Sequence, residues 1–163
     1  HNEREAYIME MISIYLSGGE SSKLYKNLVD DKKMALQISS QNLSLEDYGV
    51  YFIFALPMGE VSMENIVDEI DNEINSLQTD LISDYDMQKI QNIIENRFVS
   101  SNSTVAGIGN SLAHYYFFHD NTNVINTEID IYKSITKQEI RDAAKRLLGK
   151  NQRLELKYLP KQN

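Results

Sequence analysis

The sequence predicts an α+β fold in which helices pack on one face of a mainly antiparallel sheet. Apolar residues recur at helical spacing in the first 30 residues and again from residue 62 to 148. Two runs suited to strands lie between these helical regions, and an alternating run, Arg153–Leu159, follows them. Because helices and strands are segregated along the chain, the pattern favours an α+β domain.

The chain is predicted to open with two helices. The first is expected to begin at Asn2, whose side chain can cap it, and to end at Gly18 and Gly19. A serine at position 21 or 22 then caps a short second helix that ends near Asp31. The two apolar faces are Tyr7, Ile8, Met11, Ile12, Tyr15 and Leu16 for the first helix, and Leu24, Tyr25 and Leu28 for the second.

Two strands are predicted next, joined as a hairpin. Ala35–Gln41 alternates, which places Leu36 and Ile38 on one face. Gly49–Pro57 is apolar at almost every position and is therefore predicted to be a central strand. The polar stretch Asn42–Tyr48 suits the connection between them.

Four further helices are predicted after the hairpin. Ser62 and Ser83 are expected N-caps, and Thr136 with Glu139 matches a capping box. Gly107 and Gly109 weaken helix propensity and are expected to allow close packing. The four apolar stripes, in chain order, are Ile66, Ile70, Ile74 and Leu77; Met87, Ile90, Ile94 and Phe98; Val105, Ile108, Leu112 and Tyr115; and Ile140, Ala143, Ala144, Leu147 and Leu148.

A last strand is predicted at Arg153–Leu159, ending at Pro160. Three strands with six helices make a thin sheet, so we expect its first strands to precede His1. We therefore interpret residues 1–163 as a single domain and as a fragment of a longer protein.

Composition narrows the classes of partner. The chain carries 24 acidic and 16 basic residues, and no Lys or Arg occurs between Met34 and Gln88. This acidic middle disfavours nucleic acid, and no run reaches the ~20 apolar residues of a membrane span. We expect neither a nucleic acid nor a membrane partner. The absence of cysteine and of a visible signal segment leaves a cytoplasmic or periplasmic location open.

No residue pattern in the chain predicts a catalytic or metal site. GGESSK, residues 18–23, differs from a phosphate-binding P-loop because its Lys follows the serines and a helix precedes the glycines. His114 and His119 are five residues apart without a nearby Glu, and neither HExxH nor HxxEH occurs. We predict no catalytic residue, no metal ligand and no cofactor in this chain.

The chain resembles the C-terminal domain of the pitrilysin/insulinase zinc peptidases, including mitochondrial-processing-peptidase-like bacterial proteins. The resemblance begins in YLSGGESSKLYKNLVDDKKMALQIS, residues 15–39, where Lys23 stands in place of the usual Arg. It continues in order through SITKQEIRDAAKRLL and the final alternating run. Residues that match the family pattern in the first stretch are Gly18, Gly19, Ser21, Ser22, Leu24, Tyr25 and Leu28.

The resemblance implies half of a clamshell that closes over an unfolded peptide. An N-terminal catalytic domain or partner subunit would hold zinc through HxxEH, and this domain would supply the facing wall without metal ligands. Many relatives carry an Arg and a substrate-contacting Tyr where this chain has Val29 and Leu36. No catalytic residue is therefore carried over, and Lys23, Tyr25 and Leu36 are the substrate-facing candidates.

Three functions remain open from sequence. The first is the substrate-enclosing domain of a zinc metalloendopeptidase that is inactive without its zinc-binding half. The second is a non-catalytic structural or partner-binding subunit of the same family, which the loss of the Arg and Tyr favours. The third is a helical interaction domain unrelated to this family, which predicts no two-layer fold with an antiparallel sheet.

Overall fold

The computed structural model describes residues 3–44 and 49–159. The predicted cap Asn2, part of the hairpin connection and Pro160 lie outside this part of the chain. The described elements are α1 (Glu3–Ser17), a π-helical segment (Tyr25–Asp31), β1 (Ala35–Ser44), β2 (Gly49–Pro57), α2 (Met63–Thr79), α3 (Asp84–Ser101), α4 (Val105–His119), α5 (Glu128–Ser134) and α6 (Lys137–Leu147), with short 3₁₀ turns at Thr122–Asn126 and Lys150–Gln152.

The predicted caps form where the sequence places them. Ser62 accepts a hydrogen bond from the Asn65 amide, and Ser83 accepts one from the Asp86 amide. Thr136 and Glu139 form the reciprocal capping box at the start of α6. Satisfying these amides fixes where each helix begins, because the first four N–H groups of a helix have no partner inside it.

The hydrophobic core lies between α1, the inner side of the sheet and α6. Met11, Ile12 and Leu16 of α1 are fully buried, as are Ile90 of α3 and Ile140 of α6. In α2, the predicted stripe residues Ile66, Ile74 and Leu77 are buried. The expected α+β arrangement, with helices on one face of an antiparallel sheet, is confirmed.

Three predictions about the elements are wrong. Residues 153–159 belong to no strand, and no strand pairs with them within the described chain. Gly49–Pro57 pairs only with β1 among the described residues, so it is not a central strand there. The second helix is π-helical, and Ser22 does not cap it because its hydroxyl donates to the Gly19 carbonyl, 2.5 Å away.

The third predicted stripe, on α4, is mostly uncovered. Tyr115 is buried, but Val105, Ile108 and Leu112 are exposed. This helix is apolar around most of its circumference, so the periodicity could not decide which side faces the core. No helix among residues 3–44 and 49–159 combines the length and apolar character needed to cross a membrane.

Candidate functional site

The hairpin has two faces of different character. Its inner face contacts α1: Ser17 and Ser40 share a hydrogen bond of 2.7 Å, and Asn42 donates to the Ala6 carbonyl. Ile38 is 5% exposed on this inner face. Opposite residues of an antiparallel pair point to the same side, so the register assigns every other pair to the outer face.

The outer face of the hairpin is an uncovered surface with apolar residues along β2 and mostly polar residues along β1. Phe54 lies opposite Ser39, and Phe52 lies opposite Gln41. Exposed fractions along β2 are 51% for Val50, 43% for Phe52, 52% for Phe54 and 44% for Leu56. Such a face combines apolar contact area with free side-chain hydrogen-bonding groups from β1. We call the surface formed by Gln37, Ser39, Gln41, Leu43, Val50, Phe52, Phe54 and Leu56 the hairpin outer face.

Leu36 departs from its predicted orientation. A β-bulge between Ala35 and Gln37 inserts Leu36 as an unpaired residue on β1. The insertion shifts the alternation by one position, so Leu36 is 56% exposed whereas Ile38 is buried. The prediction that Leu36 and Ile38 share a face is therefore wrong, and Leu36 instead adds to the exposed apolar surface beside the outer face.

The GGESSK corner is held by backbone contacts. The Gly18 amide donates to the Ile14 carbonyl over 2.8 Å, and a Cβ at Gly18 would lie 2.5 Å from that oxygen. Gly19 has a φ of 138°, which side chains rarely allow. Ser22 is buried and bonds back to Gly19. These contacts set the angle between α1 and the following segment, so the corner is architectural.

Asp86 connects this corner to α3. Its carboxylate accepts a hydrogen bond from Ser83 (2.8 Å) and pairs with Lys23 (3.3 Å) and Lys89 (3.7 Å). Lys89 also donates to the Ser21 carbonyl over 2.9 Å. Burial opposes ionisation of Asp86, but the Ser83 and Lys23 hydrogen bonds outweigh it and lower the pKa of this carboxyl. The sequence patterns described above do not single out Asp86, because its pairing with Lys23 depends on the fold.

The three substrate-facing candidates lie on different features. Lys23 lines an open depression of about 880 Å³, where its ammonium pairs with Asp86 and lies 5.5 Å from the centre of the Tyr15 ring. Tyr25 is half-buried against the core. Leu36 lies on the exposed side of the hairpin, and Val29, at the position of the family's Arg, packs against the core.

A second cavity, of about 240 Å³, lies between α1, α3, α4 and α5. Tyr115 donates to Glu128 over 2.5 Å there, and burial followed by this bond raises the pKa of Tyr115 far above its ordinary value. Burial also raises the pKa of Glu10, against the opposing effect of Arg97 at 3.4 Å. The sequence patterns did not single out Glu10 or Glu128, because helix periodicity does not show which polar groups come into contact.

The histidine rings of α4 are stacked among aromatic residues. The His114 ring lies 4.7 Å from that of Phe118 and 6.3 Å from that of His119, measured between centres. Across residues 3–44 and 49–159, no three His, Cys, Asp or Glu side chains are grouped so that they could hold a metal ion. The donors of a zinc site are therefore not assembled in the described part of this chain.

Comparison with known proteins now places the chain. A sequence model of the family described as the peptidase M16 inactive domain matches residues 1–110. The chain belongs to the peptidase M16 inactive domain family. The resemblance to the non-zinc-binding domain of a zinc peptidase, inferred above from residues 15–39 and the elements that follow, is thereby confirmed.

Relatives of this M16 inactive domain include zinc proteases. This chain is 30% identical over 108 residues to a protein named zinc protease PqqE from Helicobacter pylori. The aligned part covers 64% of this chain and 24% of that protein. The chain thus spans about a quarter of the length of that curated relative. A solved Helicobacter pylori protease has a TM-score of 0.84 at 20% identity, over 93% of this chain and 36% of that one.

Solved inactive domains cover nearly the whole chain. The inactive peptidase domain of a proposed zinc protease from Bordetella parapertussis aligns with a TM-score of 0.85 at 15% identity, over 98% of this chain and 86% of that one. A subunit of Complex III from Candida albicans aligns at 0.74 and 12% identity, over 89% and 36% of the two chains. At these identities the structural likeness shows the shared fold.

Proposed function

We propose that this chain is the substrate-enclosing domain of a bacterial zinc metalloendopeptidase whose zinc site lies in an N-terminal half outside these residues. Membership of the M16 inactive domain family supports the proposal, as does the zinc protease among its relatives. The described residues do not provide a set of zinc ligands, so zinc binding is assigned to the other half. This chain then contributes binding surface and no reacting group.

The observation that carries the proposal is the hairpin outer face. Val50, Phe52, Phe54 and Leu56 follow one another at every second residue of β2, about 7 Å apart. An extended peptide repeats its side chains at the same spacing, so alternate peptide residues can contact successive side chains of this row. Gln37, Ser39 and Gln41 beside the row provide side-chain hydrogen-bonding groups.

The composition of this face favours unfolded substrates of varied sequence. Exposed aromatic rings offer contact area to many side chains, and flexible glutamine amides can both donate and accept. No charged residue belongs to the hairpin outer face, so no single charge pattern is imposed on the peptide. We place Leu36 at the margin of this wall, while substrate contact by Lys23 and Tyr25 stays a prediction.

A second function, a non-catalytic partner-binding subunit, is favoured by Val29 and Leu36. These residues occupy the positions where many relatives have an Arg and a substrate-contacting Tyr. Val29 packs against the core, so its position cannot present a charge to a substrate without rearrangement. A catalytic half joined to this domain would have to bind peptide without that pair.

The decisive experiment uses the full-length protein. The gene should encode HxxEH on the order of 200 residues before His1, about one domain length. The purified protein should cleave an extended peptide, and a chelator should abolish that cleavage. Phe54→Ser should raise KM about tenfold, since it removes an exposed aromatic contact worth ~1.4 kcal/mol. Val99→Ser, at an equally exposed apolar residue on α3, should leave KM unchanged.

The results separate the two functions. Chelator-sensitive cleavage with a Phe54-specific rise in KM supports the peptidase. An upstream half without HxxEH, together with no cleavage, supports the non-catalytic subunit. Equal effects of Phe54→Ser and Val99→Ser would rule out the hairpin outer face as the substrate wall.

A further inference from the structure

The exposed side of α4 is the second large uncovered apolar surface of the molecule. Val105 is 89% exposed, Phe117 is 79% exposed and Tyr116 is 64% exposed. On the side that faces the domain, Tyr115 is buried. An apolar helix face of this extent is normally covered by a neighbour, so this arrangement calls for a partner.

The exposed apolar side spans about half of the helix circumference. At 3.6 residues per turn, eight residues of α4 fall within an arc of about 180° in which the only other residue is the half-buried His119. They are Val105, Ala106, Ile108, Gly109, Leu112, Ala113, Tyr116 and Phe117, and all eight are exposed. No Asp, Glu, Lys or Arg occurs anywhere from Val105 to His119. We call these eight residues the α4 face.

The α4 face is large enough for a stable interface. Each exposed fraction is multiplied by the area of its side chain, about 150–250 Å² for an aromatic one and less for an aliphatic one. The exposed apolar area of the α4 face is then roughly 700 Å². The largest apolar patch on a typical monomer is about 300–600 Å². Each partner in a standard protein interface contributes about 800 Å². The α4 face therefore has the size of half an interface.

We propose that the α4 face binds the α4 face of a second copy of this chain, with the two helices antiparallel. If the twofold axis passes between Asn110 and Ser111, three of the larger residues of the α4 face each lie at the level of a smaller residue of the other copy. Ile108 then lies at the level of Ala113, and Leu112 at the level of Gly109. Tyr116 lies at the level of Val105 in the same arrangement. Such self-complementarity is what a twofold interface requires.

Gly109 favours a close approach in the middle of this interface. A Cβ built on Gly109 would meet no atom of its own chain, so the residue borders open space. Without a side chain there, the backbones can approach toward the lower end of the usual 8–10 Å between helix axes. Opposed helix directions also place the positive end of each helix dipole beside the negative end of the other. The overall charge of −8 opposes association, but none of that charge lies on the α4 face.

The first test measures the mass of the full-length protein, and of the 163-residue chain beside it, by sedimentation velocity. We expect a dimer with a dissociation constant in the micromolar range, since micromolar is the weak end of the affinities found for interfaces of about this size. Leu112→Glu should weaken the dimer on the order of 100-fold, because a carboxylate would be buried without a partner. Leu156→Glu, at an exposed leucine outside α4, should leave the dimer unchanged. Circular dichroism checks that both variants fold.

The second test uses the natural absence of cysteine. At 1.5 Å per residue, two copies of residue 112 in the antiparallel dimer are offset by about 4–5 Å along the axis, and two copies of residue 105 by about 16 Å. Leu112→Cys should therefore form a disulfide-linked dimer on oxidation, whereas Val105→Cys should not. Val105 is the more exposed of the two, so chance collision predicts the opposite order.

Each result decides the proposal. Dimerisation lost in Leu112→Glu, with crosslinking at position 112 and not at 105, supports it. A monomer at about 100 µM, well above a micromolar dissociation constant, overturns it. Crosslinking at both positions, or faster at 105, overturns the antiparallel arrangement. If the full-length protein is monomeric and its α4 cysteines resist modification, another domain of that polypeptide covers the α4 face instead.

Discussion

Removing the Asp86 carboxylate should destabilise the domain by about 2–3 kcal/mol. Asp86 is 7% exposed and receives a hydrogen bond from Ser83 and ion pairs from Lys23 and Lys89. Hydrogen bonds to a charged group contribute roughly 1.5–3 kcal/mol. Asp86→Ala also leaves Lys89, whose side chain is 18% exposed, without its carboxylate partner. For a chain of this length the loss corresponds to a fall in Tm of about 5–10 °C.

Asp84 provides a matched control on the same helix turn. Its side chain is 99% exposed, and its pair with Lys137 lies at the surface. Exposed pairs of this kind contribute little, so Asp84→Ala should change stability far less than Asp86→Ala. Asp86→Asn, which keeps an acceptor for Ser83 but removes the charge, should fall between the two. Urea unfolding followed by circular dichroism measures all three variants under identical conditions.

The dependence on pH gives a further check of the same reasoning. The folded pKa of Asp86 is below its ordinary value of 3.8, so its contribution is present above that value. The contribution is lost as the pH falls through the depressed folded pKa. The stability difference between wild type and Asp86→Ala should therefore be constant at neutral pH and shrink below about pH 4. Equal losses in Asp84→Ala and Asp86→Ala, or a stability difference that does not shrink as the pH falls below 3.8, would refute the reasoning.

Two more predictions concern the core and the link between α1 and α6. Ile140→Ala should cost about 2–5 kcal/mol in urea unfolding, because this side chain is fully buried and its loss leaves a cavity; the same change at exposed Leu156 should cost little. The Arg4 hydrogen bond lowers the pKa of Glu139 to about 2. Arg4→Ala should therefore move the Glu139 titration, followed by NMR, toward 4.5, and an unmoved titration would contradict the assignment.

Local signals in the sequence were sufficient for most of the helices. Ser62, Ser83 and Thr136 each supply an oxygen to a backbone amide at a helix start, and this chemistry depends only on neighbouring residues. Helix α5, Glu128–Ser134, was missed because its seven residues give less than two full turns of periodicity. The π-helical geometry of Tyr25–Asp31 was also missed, since it depends on which carbonyl each amide meets.

Predictions that depend on neighbours far along the chain were the weaker ones. Residues 153–159 alternate as a strand does, but Arg153 and Lys157 pair with Asp71 and Glu64 of α2, and no strand pairs with this segment among the described residues. The bulge at Leu36 turns that residue outward, which no count of alternation can reveal. Asp86 pairs with Lys23, 63 residues away in the chain, as well as with its neighbours Ser83 and Lys89, so its role was visible only after folding.

The two uncovered apolar surfaces differ in a way that assigns them different occupants. The hairpin outer face places Gln37, Ser39 and Gln41 beside its apolar row, so a ligand there can exchange hydrogen bonds with the protein instead of water. Such a surface suits a peptide that binds reversibly. The α4 face has no charged side chain, and the only polar groups within that half of the circumference are the Tyr116 hydroxyl and His119, so it resembles the apolar centre of a protein interface. A substrate bound at the α4 face would gain apolar contact area but few hydrogen bonds to fix its orientation. The α4 helix of a second copy gains both contact area and a defined orientation. The polar pattern, more than the exposed area, therefore separates a substrate wall from an assembly surface.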